Sequence, residues 1–364
     1  MKIPFVGLQK QYSNLRTEIL DITDTVHRSG QLMDGNYTAE FENWLAKKNN
    51  VKHAVTVHSG TNALEVIAAY YRHILEIGQP SVIVPAMTFR ATANAWLNAG
   101  WRVVFADCNS YGMLNINRVK EHWPDVVAVC LVGLYGNSLK DYRTKKFTEH
   151  RTDENWLVIE DAAQHWLSWD CRRIGPAAAI SFDPMKNLGN YGNGGAIVTN
   201  VQDIADYAKS YRAHGKLSHP AMDTGTNSRM SEIDCATMLV KAQYIDEWQA
   251  RRKTIATYWM ERLLETPLRC LIDSSNVKEH CFHKFVVELD NRDVLAEQLA
   301  SRGIDTKVHY EEGLNEMNYS AIGFEPMMSA TASLCRRVLS LPIYPELTDL
   351  EVDYIIDQVL DCVA

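Results

Sequence analysis

The sequence has no CxxC pair among its eight cysteines, Cys108, Cys130, Cys171, Cys235, Cys270, Cys281, Cys335 and Cys362. That scatter argues against a zinc ribbon and against a disulfide scaffold, and it leaves the cysteines as small buried hydrophobes of a reduced compartment. No stretch of eighteen apolar residues occurs, and Met1-Lys2-Ile3-Pro4-Phe5 has no apolar run behind its lysine. Neither a membrane span nor a secretory leader is therefore expected. No basic cluster interleaves with aromatics, and 37 Lys and Arg stand against 45 Asp and Glu for a net charge of −8, which speaks against a nucleic-acid surface. The basic triplet Arg251-Arg252-Lys253 falls inside a helical pattern and reads as a solvated face. Internal repeats, low-complexity segments and a metal-ligand set are missing as well. The expectation is a cytoplasmic, soluble protein with no membrane, metal or nucleic-acid partner.

What is present is an ordinary globular composition, 46% hydrophobic and 23% charged over 364 residues. A chain of that length exceeds the size at which one core usually stops growing, so two domains are expected. Short runs rich in valine and isoleucine alternate with helical patterns between about residues 50 and 200, the mark of a buried, mostly parallel sheet. The predicted strands are 54–57, 82–85, 103–106, 126–132, 157–160, 178–182 and 196–199. Between the first two, Leu64, Ile67, Ala68, Tyr71, Ile74 and Leu75 give residues 61–77 one apolar helical face. Residues 232–265 contain no proline or glycine and read as one long helix or two consecutive ones across a domain junction. Beyond it come a strand at 283–289, a helix at 292–302, a short strand at 305–308 and a terminal helix after Thr348, whose spacing to Glu351 is that of a capping box. The predicted division is a large α/β domain over 1–245 and a smaller α+β domain over 246–364.

The segment from Val158 to Thr199 carries the chemistry. One strand ends in Glu160-Asp161-Ala162-Ala163-Gln164, another in Ser181-Phe182, and Asp183-Pro184-Met185-Lys186-Asn187 follows before a glycine-rich loop. Ligands of open α/β sheets collect beyond the carboxyl ends of strands, so an acid and a lysine there are candidates for one site. A lysine amine can form a Schiff base with pyridoxal phosphate, and a carboxylate facing the pyridine nitrogen keeps it protonated. Ser59-Gly60-Thr61, between a strand and a helix, offers backbone donors for a phosphate. Taken singly, each of these residues is commonly a solvated group, a turn or a helix cap.

The ordered set Ser59-Gly60-Thr61-Asn62-Ala63-Leu64, Val84-Pro85-Ala86-Met87-Thr88-Phe89, Glu160 to Gln164, Ser181 to Asn187 and Gly225-Thr226-Asn227-Ser228-Arg229-Met230 resembles the DegT/DnrJ/EryC1/StrS aminotransferases. These are fold type I pyridoxal-phosphate enzymes that mostly aminate keto sugars attached to nucleotides. The resemblance runs from Pro4-Phe5 to Leu339-Ser340-Leu341-Pro342-Ile343-Tyr344-Pro345. It implies a large domain with a seven-stranded, mostly parallel sheet and a smaller C-terminal α+β domain. It makes Lys186 the Schiff-base lysine and proton shuttle, and Asp161 the partner of the pyridinium nitrogen. Gln164 would bond the ring hydroxyl, Gly60, Thr61 and Ser181 would hold the phosphate, and Phe89 would stack on the ring. Asn227 would reach the cofactor phosphate of a second subunit, which requires a homodimer with shared active sites. His309, Tyr310 and Arg229 are candidates for contacting substrate.

The implied reaction moves an amino group from L-glutamate, through pyridoxamine phosphate, to a 3-keto or 4-keto deoxysugar on a nucleotide carrier. Several positions depart from the family pattern. Gly133 stands where many relatives have histidine, which implies a side chain missing near the substrate. Asp183 and Met185 replace the commoner tyrosine and threonine, and acids at Glu311 and Glu312 follow Tyr310 where the family has proline. His165 could face the pocket or the sheet. These departures keep two rivals open: the same transfer to a non-sugar aldehyde or ketone, such as a modified nucleoside or an antibiotic precursor, and a regulatory or scaffold protein without turnover.

Overall fold

The computed structural model describes residues 1–115, 126–143, 156–168, 174–217, 219–220, 224–272, 276–319, 322–324 and 328–363. Seven strands, β1 (His53–Val57), β2 (Ser81–Pro85), β3 (Arg102–Ala106), β4 (Val126–Val132), β5 (Leu157–Asp161), β6 (Ala177–Ser181) and β7 (Gly195–Thr199), form the main sheet. All seven lie within a residue of their predicted bounds. Their valine, alanine and isoleucine side chains are buried along nearly their whole length, as a sheet covered on both faces requires.

The order is β1-β7-β6-β5-β4-β2-β3, and an eighth strand, β10 (Ile322–Phe324), adds parallel to β3. The sequence reading had no strand there; three residues are too few to show a period. Strands β2 to β6 pair in parallel, whereas β7 runs antiparallel to both β6 and β1. Two reversals restore the direction, so β1 points the same way as β6. The carboxyl ends of β1, β2, β5 and β6 therefore share one edge, and the segments that follow them meet there.

The helix Gly60–Ile74 follows β1, with Ser59 Oγ accepting from the Asn62 N–H at 3.1 Å as its cap, a bond worth about 1 kcal/mol. It ends three residues before the predicted bound, and Ile77 lies outside it, exposed. Residues 232–265 form two helices, Glu232–Ala242 and Ile245–Arg262. The first turn of the second packs Ile245 and Trp248 on the main core, while Ile255, Ala256 and Trp259 enter another core.

That other core lies under a three-stranded antiparallel sheet of β11 (Val338–Leu341), β9 (Phe285–Glu288) and β8 (Arg269–Cys270). Trp259 stands edge-on to Phe285 with ring centroids 5.2 Å apart, and the helix Asp349–Val363 closes it from one side. The capping box is present: the Glu351 carboxylate accepts from the Thr348 N–H at 2.9 Å and Thr348 Oγ1 accepts from the Glu351 N–H at 3.3 Å. Ile3, from the opposite end of the chain, is fully buried here and exchanges backbone hydrogen bonds with Gly303 (2.8 Å) and Asp305 (3.0 Å).

Two expectations need correction. The strand predicted at 305–308 is only a single bridge between Lys307 and Ser340. Arg252 is not on a solvated face: it is buried, and its guanidinium donates to the carbonyls of Phe282 (3.2 Å) and Ile343 (2.8 Å). A guanidinium that satisfies two orphan carbonyls is tolerable inside where a lone charge is not. Of the cysteines, Cys171 lies outside the described residues, and the other seven are free thiols, five of them buried. Among the described residues no helix is long and apolar enough to cross a membrane, and no group of three or more His, Cys, Asp and Glu is placed to hold a metal ion.

Candidate active site

A cavity of about 380 Å³ opens at the shared edge of the sheet. Nine of the eleven residues singled out in the sequence line it: Gly60, Thr61, Phe89, Asp161, Gln164, Ser181, Lys186, His309 and Tyr310. They come from the segments after β1, β2, β5 and β6 and from the 309–310 loop, which is why residues more than 200 positions apart converge.

Asp161 is the last residue of β5 and is 5% exposed. Its carboxylate accepts from Thr92 Oγ1 at 2.7 Å and from the Ala163 N–H at 3.1 Å, and Thr92 is in turn linked to Thr88 at 3.0 Å. Those donors fix its direction. Gln164, one turn on, accepts from the Tyr135 N–H at 2.8 Å and donates from Nε2 to the Tyr310 hydroxyl at 3.3 Å. Because the oxygen is committed to the backbone, the amide NH2 is the group turned to the cavity.

Ser59-Gly60-Thr61 meets Ser181 across the sheet edge. A Cβ on Gly60 would come within 2.6 Å of Ser181 Cβ, and one on Gly195 would meet the Ser59 carbonyl carbon at 2.3 Å. Only glycine at both places lets the helix N-terminus press onto the ends of β6 and β7. The product is a cradle of helix-N-terminal N–H groups and hydroxyls of the kind that holds phosphate. Phe89 does not join the core; it is 55% exposed, precedes the helix Arg90–Asn98 and faces the cavity, its ring 6.3 Å from that of Tyr310.

Lys186 lies five residues beyond β6. Its N–H donates to the Asp183 carbonyl at 2.9 Å, and Asp183 Oδ1 accepts from the Met185 N–H at 3.0 Å, so a tight turn presents the side chain. Asn187 anchors that turn from behind, donating to the Cys281 carbonyl at 2.7 Å and to Gln249 at 2.8 Å. Burial lowers the amine's pKa, while Asp161 and Asp183 pull it back. A depressed lysine pKa enlarges the unprotonated fraction that can act as a base.

The loop after Lys186 is held by Lys241, which donates to the Gly189 carbonyl at 2.6 Å and sits 3.5 Å from the ring centre of Tyr191. Burial pulls Lys241 down from 10.5 to about 7, with Glu346 opposing. The unfolded chain therefore binds one more proton than the folded chain between about pH 7 and 10.5, and stability contributed by this group is lost as pH falls. The melting temperature of the wild type relative to Lys241→Met is expected to rise as the pH is raised from 7 to 10. Parallel profiles for the two proteins would refute it.

Neutral histidine is the rule here. His309 is pushed down to about 3 by burial and by Lys284, Lys307 and Lys186, and its Nδ1 is 2.8 Å from Ser340 Oγ. Tyr310 is held well above its usual range by burial, so its hydroxyl stays protonated.

The remaining candidates lie elsewhere. Asn227 is exposed, in a loop tied to the cradle by Ser228, whose hydroxyl donates to Asn62. Arg229 is ion-paired with Asp34 at 2.7 Å, and neither it nor Asn227 lines the cavity. The gap implied at Gly133 is filled: a Cβ there would meet the His165 ring at 2.4 Å, and the Gly133 N–H donates to His165 Nδ1 at 3.1 Å. His165 thus faces the sheet, buried beside Glu160 at 3.4 Å. Glu311 and Glu312 are exposed and outside the cavity, Glu312 lying 3.4 Å from Arg90. Sequence reasoning missed Asn193, His283 and Lys284 in the cavity wall. The His283-Lys284 pair precedes β9, and only the bond from the Lys284 N–H to the Tyr135 carbonyl at 3.0 Å, beyond the end of β4, shows where it lies.

A lysine and an acid beyond neighbouring parallel strands, facing one cavity against a glycine-led helix N-terminus, define a fold type I transferase. The sequence profile of the DegT/DnrJ/EryC1/StrS aminotransferase family matches residues 13–360, and the chain belongs to that family. It is 31% identical over 378 residues to a Geobacillus stearothermophilus protein named a pleiotropic regulatory protein, covering 99% of this chain and 98% of the relative. It is 31% identical over 371 residues to the dTDP-3-amino-3,4,6-trideoxy-alpha-D-glucose transaminase of Streptomyces venezuelae, covering 98% and 95%. Among solved structures it is similar to S. venezuelae DesV in complex with a ketimine intermediate, with a TM-score of 0.89 at 31% identity over 99% of this chain and 98% of that one.

Proposed function

We propose that the protein is a pyridoxal-phosphate-dependent aminotransferase that moves the amino group of L-glutamate to a 3-keto or 4-keto deoxysugar on a nucleotide carrier. The observation that carries this reading is the meeting of Lys186, Asp161 and the Gly60 cradle at one cavity. The residues fit the cofactor: the space that a Cβ on Gly60 would fill against Ser181 is left to the chain's own donors, and a carboxylate held by Thr92 and the Ala163 N–H lines the same cavity as the lysine.

When bound, pyridoxal phosphate supplies an aldehyde for the donor's nitrogen and a ring that spreads the electron pair released at the donor's Cα. The N–H groups of Gly60 and Thr61 and the Ser181 hydroxyl would hold its phosphate, Asp161 its ring nitrogen, Gln164 its ring hydroxyl and Phe89 its face. Lys186 would hold the aldehyde covalently at rest; once displaced, its unprotonated Nζ would take the proton from the donor's Cα. His309 and Tyr310, neutral and hydrogen-bonding, would position the acceptor's carbonyl without adding charge. The balance over both halves is glutamate plus ketone giving 2-oxoglutarate plus amine.

Asn227 would enter the cavity of a second subunit, which makes the active form a homodimer, and the chain would divide near residue 245 into a large and a small domain. The transaminase name of the S. venezuelae relative supports a nucleotide-sugar acceptor, and the exposure of Glu311 and Glu312 removes the repulsion that such a diphosphate would otherwise meet. The regulatory name of the Geobacillus relative makes turnover the deciding measurement. With 15N-glutamate and a panel of nucleotide-linked keto sugars, label is expected in an amino sugar. Label passing only to non-sugar ketones would move the reading to that rival, and no transfer with cofactor bound would leave the scaffold reading.

A further inference from the structure

Lys284 lines the cavity, is 6% exposed, and has no hydrogen bond or ion pair from its ammonium among the described residues. A buried lysine without a carboxylate is costly unless something else balances it. Lys284 Nζ lies 4.9 Å from the ring centre of Phe5, and Lys307 Nζ lies 5.5 Å from the same centre. Lys307 also lacks an acidic partner among the described residues. Two ammonium groups sharing one ring repel each other, and the ring quadrupole repays each by only about 1 kcal/mol. Lys186, Arg252 and Lys307 all depress Lys284 and Asp183 opposes them, and the neighbouring His283 and His309 are held neutral. Of the two acids lining the cavity, Asp161 and Asp183, neither bonds the Lys284 ammonium among the described residues.

We propose that Lys284, backed by Lys307 across Phe5, is an oxyanion-binding residue of the cavity that takes a carboxylate or phosphate carried by one of the two substrates. The proposal rests on the aminotransferase reading, because that reaction brings both kinds of anion to this cavity: the carboxylates of the amino donor and the phosphates of a nucleotide-linked acceptor. It is distinct from the Gly60 cradle, which lies at the amino end of another element, and from Lys186, whose amine is engaged in the chemistry. Arriving anions would supply the missing partner and return Lys284 to its charged form by proton uptake.

The test uses the cofactor-loaded protein and two probes, glutarate for the donor and inorganic pyrophosphate for the acceptor, by isothermal titration calorimetry. Lys284→Gln is expected to weaken at least one probe by about 10-fold or more, and Lys284→Arg to restore most of the loss. Weakening of glutarate alone assigns the residue to the donor, of pyrophosphate alone to the acceptor, and of both to a shared subsite. Cofactor uptake, read by absorbance, reports separately on folding and on the aminotransferase reading. Should Lys284→Gln not fold, repeating the wild-type titrations in buffers of different ionisation enthalpy decides: proton uptake with either probe supports the proposal. Unchanged affinity in a cofactor-loaded Lys284→Gln, or no binding and no proton uptake in the wild type, overturns it.

Discussion

Lys186→Ala is expected to lower transamination by at least about 10⁴-fold, because one substitution removes both the nucleophile and the proton-carrying base. The fold should not suffer. The Lys186 amine has no hydrogen bond or ion pair among the described residues, and burial already disfavours its charge. The melting temperature is therefore expected to hold or rise. Lys186→Arg is the sharper control, since a guanidinium fills the space and stays protonated at any working pH; it should be as inactive as alanine. The measurement is single-turnover appearance of 2-oxoglutarate, paired with the visible band of the bound cofactor, which should shift to that of the free aldehyde in both variants. Turnover within tenfold of the wild type in Lys186→Ala would remove the lysine, and with it the proposed reaction.

Asp161→Asn should show the second largest loss, about 10²- to 10⁴-fold in turnover, by a different route. The shape of the side chain is kept and its charge is lost. In the wild type the carboxylate, aimed by Thr92 and Ala163, would raise the pKa of a facing ring nitrogen by about 1–3 units. The bound cofactor's spectrum should then be flat through neutral pH in the wild type and titrate there in Asp161→Asn. Thr92→Val removes one of the two donors that orient the acid, and a charge-assisted bond of this kind is worth about 1.5–3 kcal/mol, so a partial loss of about tenfold or more is expected. If Asp161→Asn matched the wild type in both spectrum and rate, the acid would not face the ring.

Much of this was legible in the sequence, and the reasons differ by element. The main-sheet strands are short apolar runs whose both faces are covered, so composition alone bounds them to within a residue. Thr348 and Glu351 announce their helix by local chemistry. Strand-end position brought out Asp161, Lys186 and the Ser59-Gly60-Thr61 turn, whereas the roles of Gln164, Ser181, Phe89, His309 and Tyr310 came from the family resemblance, and the cavity brings both sets together. What escaped depends on long-range packing. No pattern in His283-Lys284 says that its backbone meets Tyr135 beyond β4. Arg252 sits in a basic triplet that looks solvated until the carbonyls of Phe282 and Ile343 are seen around it. Gly133 reads as a missing side chain, and only the approach of His165 across two strands shows that the volume has been reassigned.

The tie between Ile3 and the Gly303–Asp305 turn sets an order on how the molecule can be completed. During synthesis Ile3 leaves the ribosome about 300 residues ahead of Gly303 and Asp305. Until then its apolar side chain, fully covered in the folded protein, lacks these partners, and a loop of about 300 residues must close before it gains them. The smaller core is thus a late assembly, and the wall carrying His283, Lys284 and His309 comes from the same late stretch of chain.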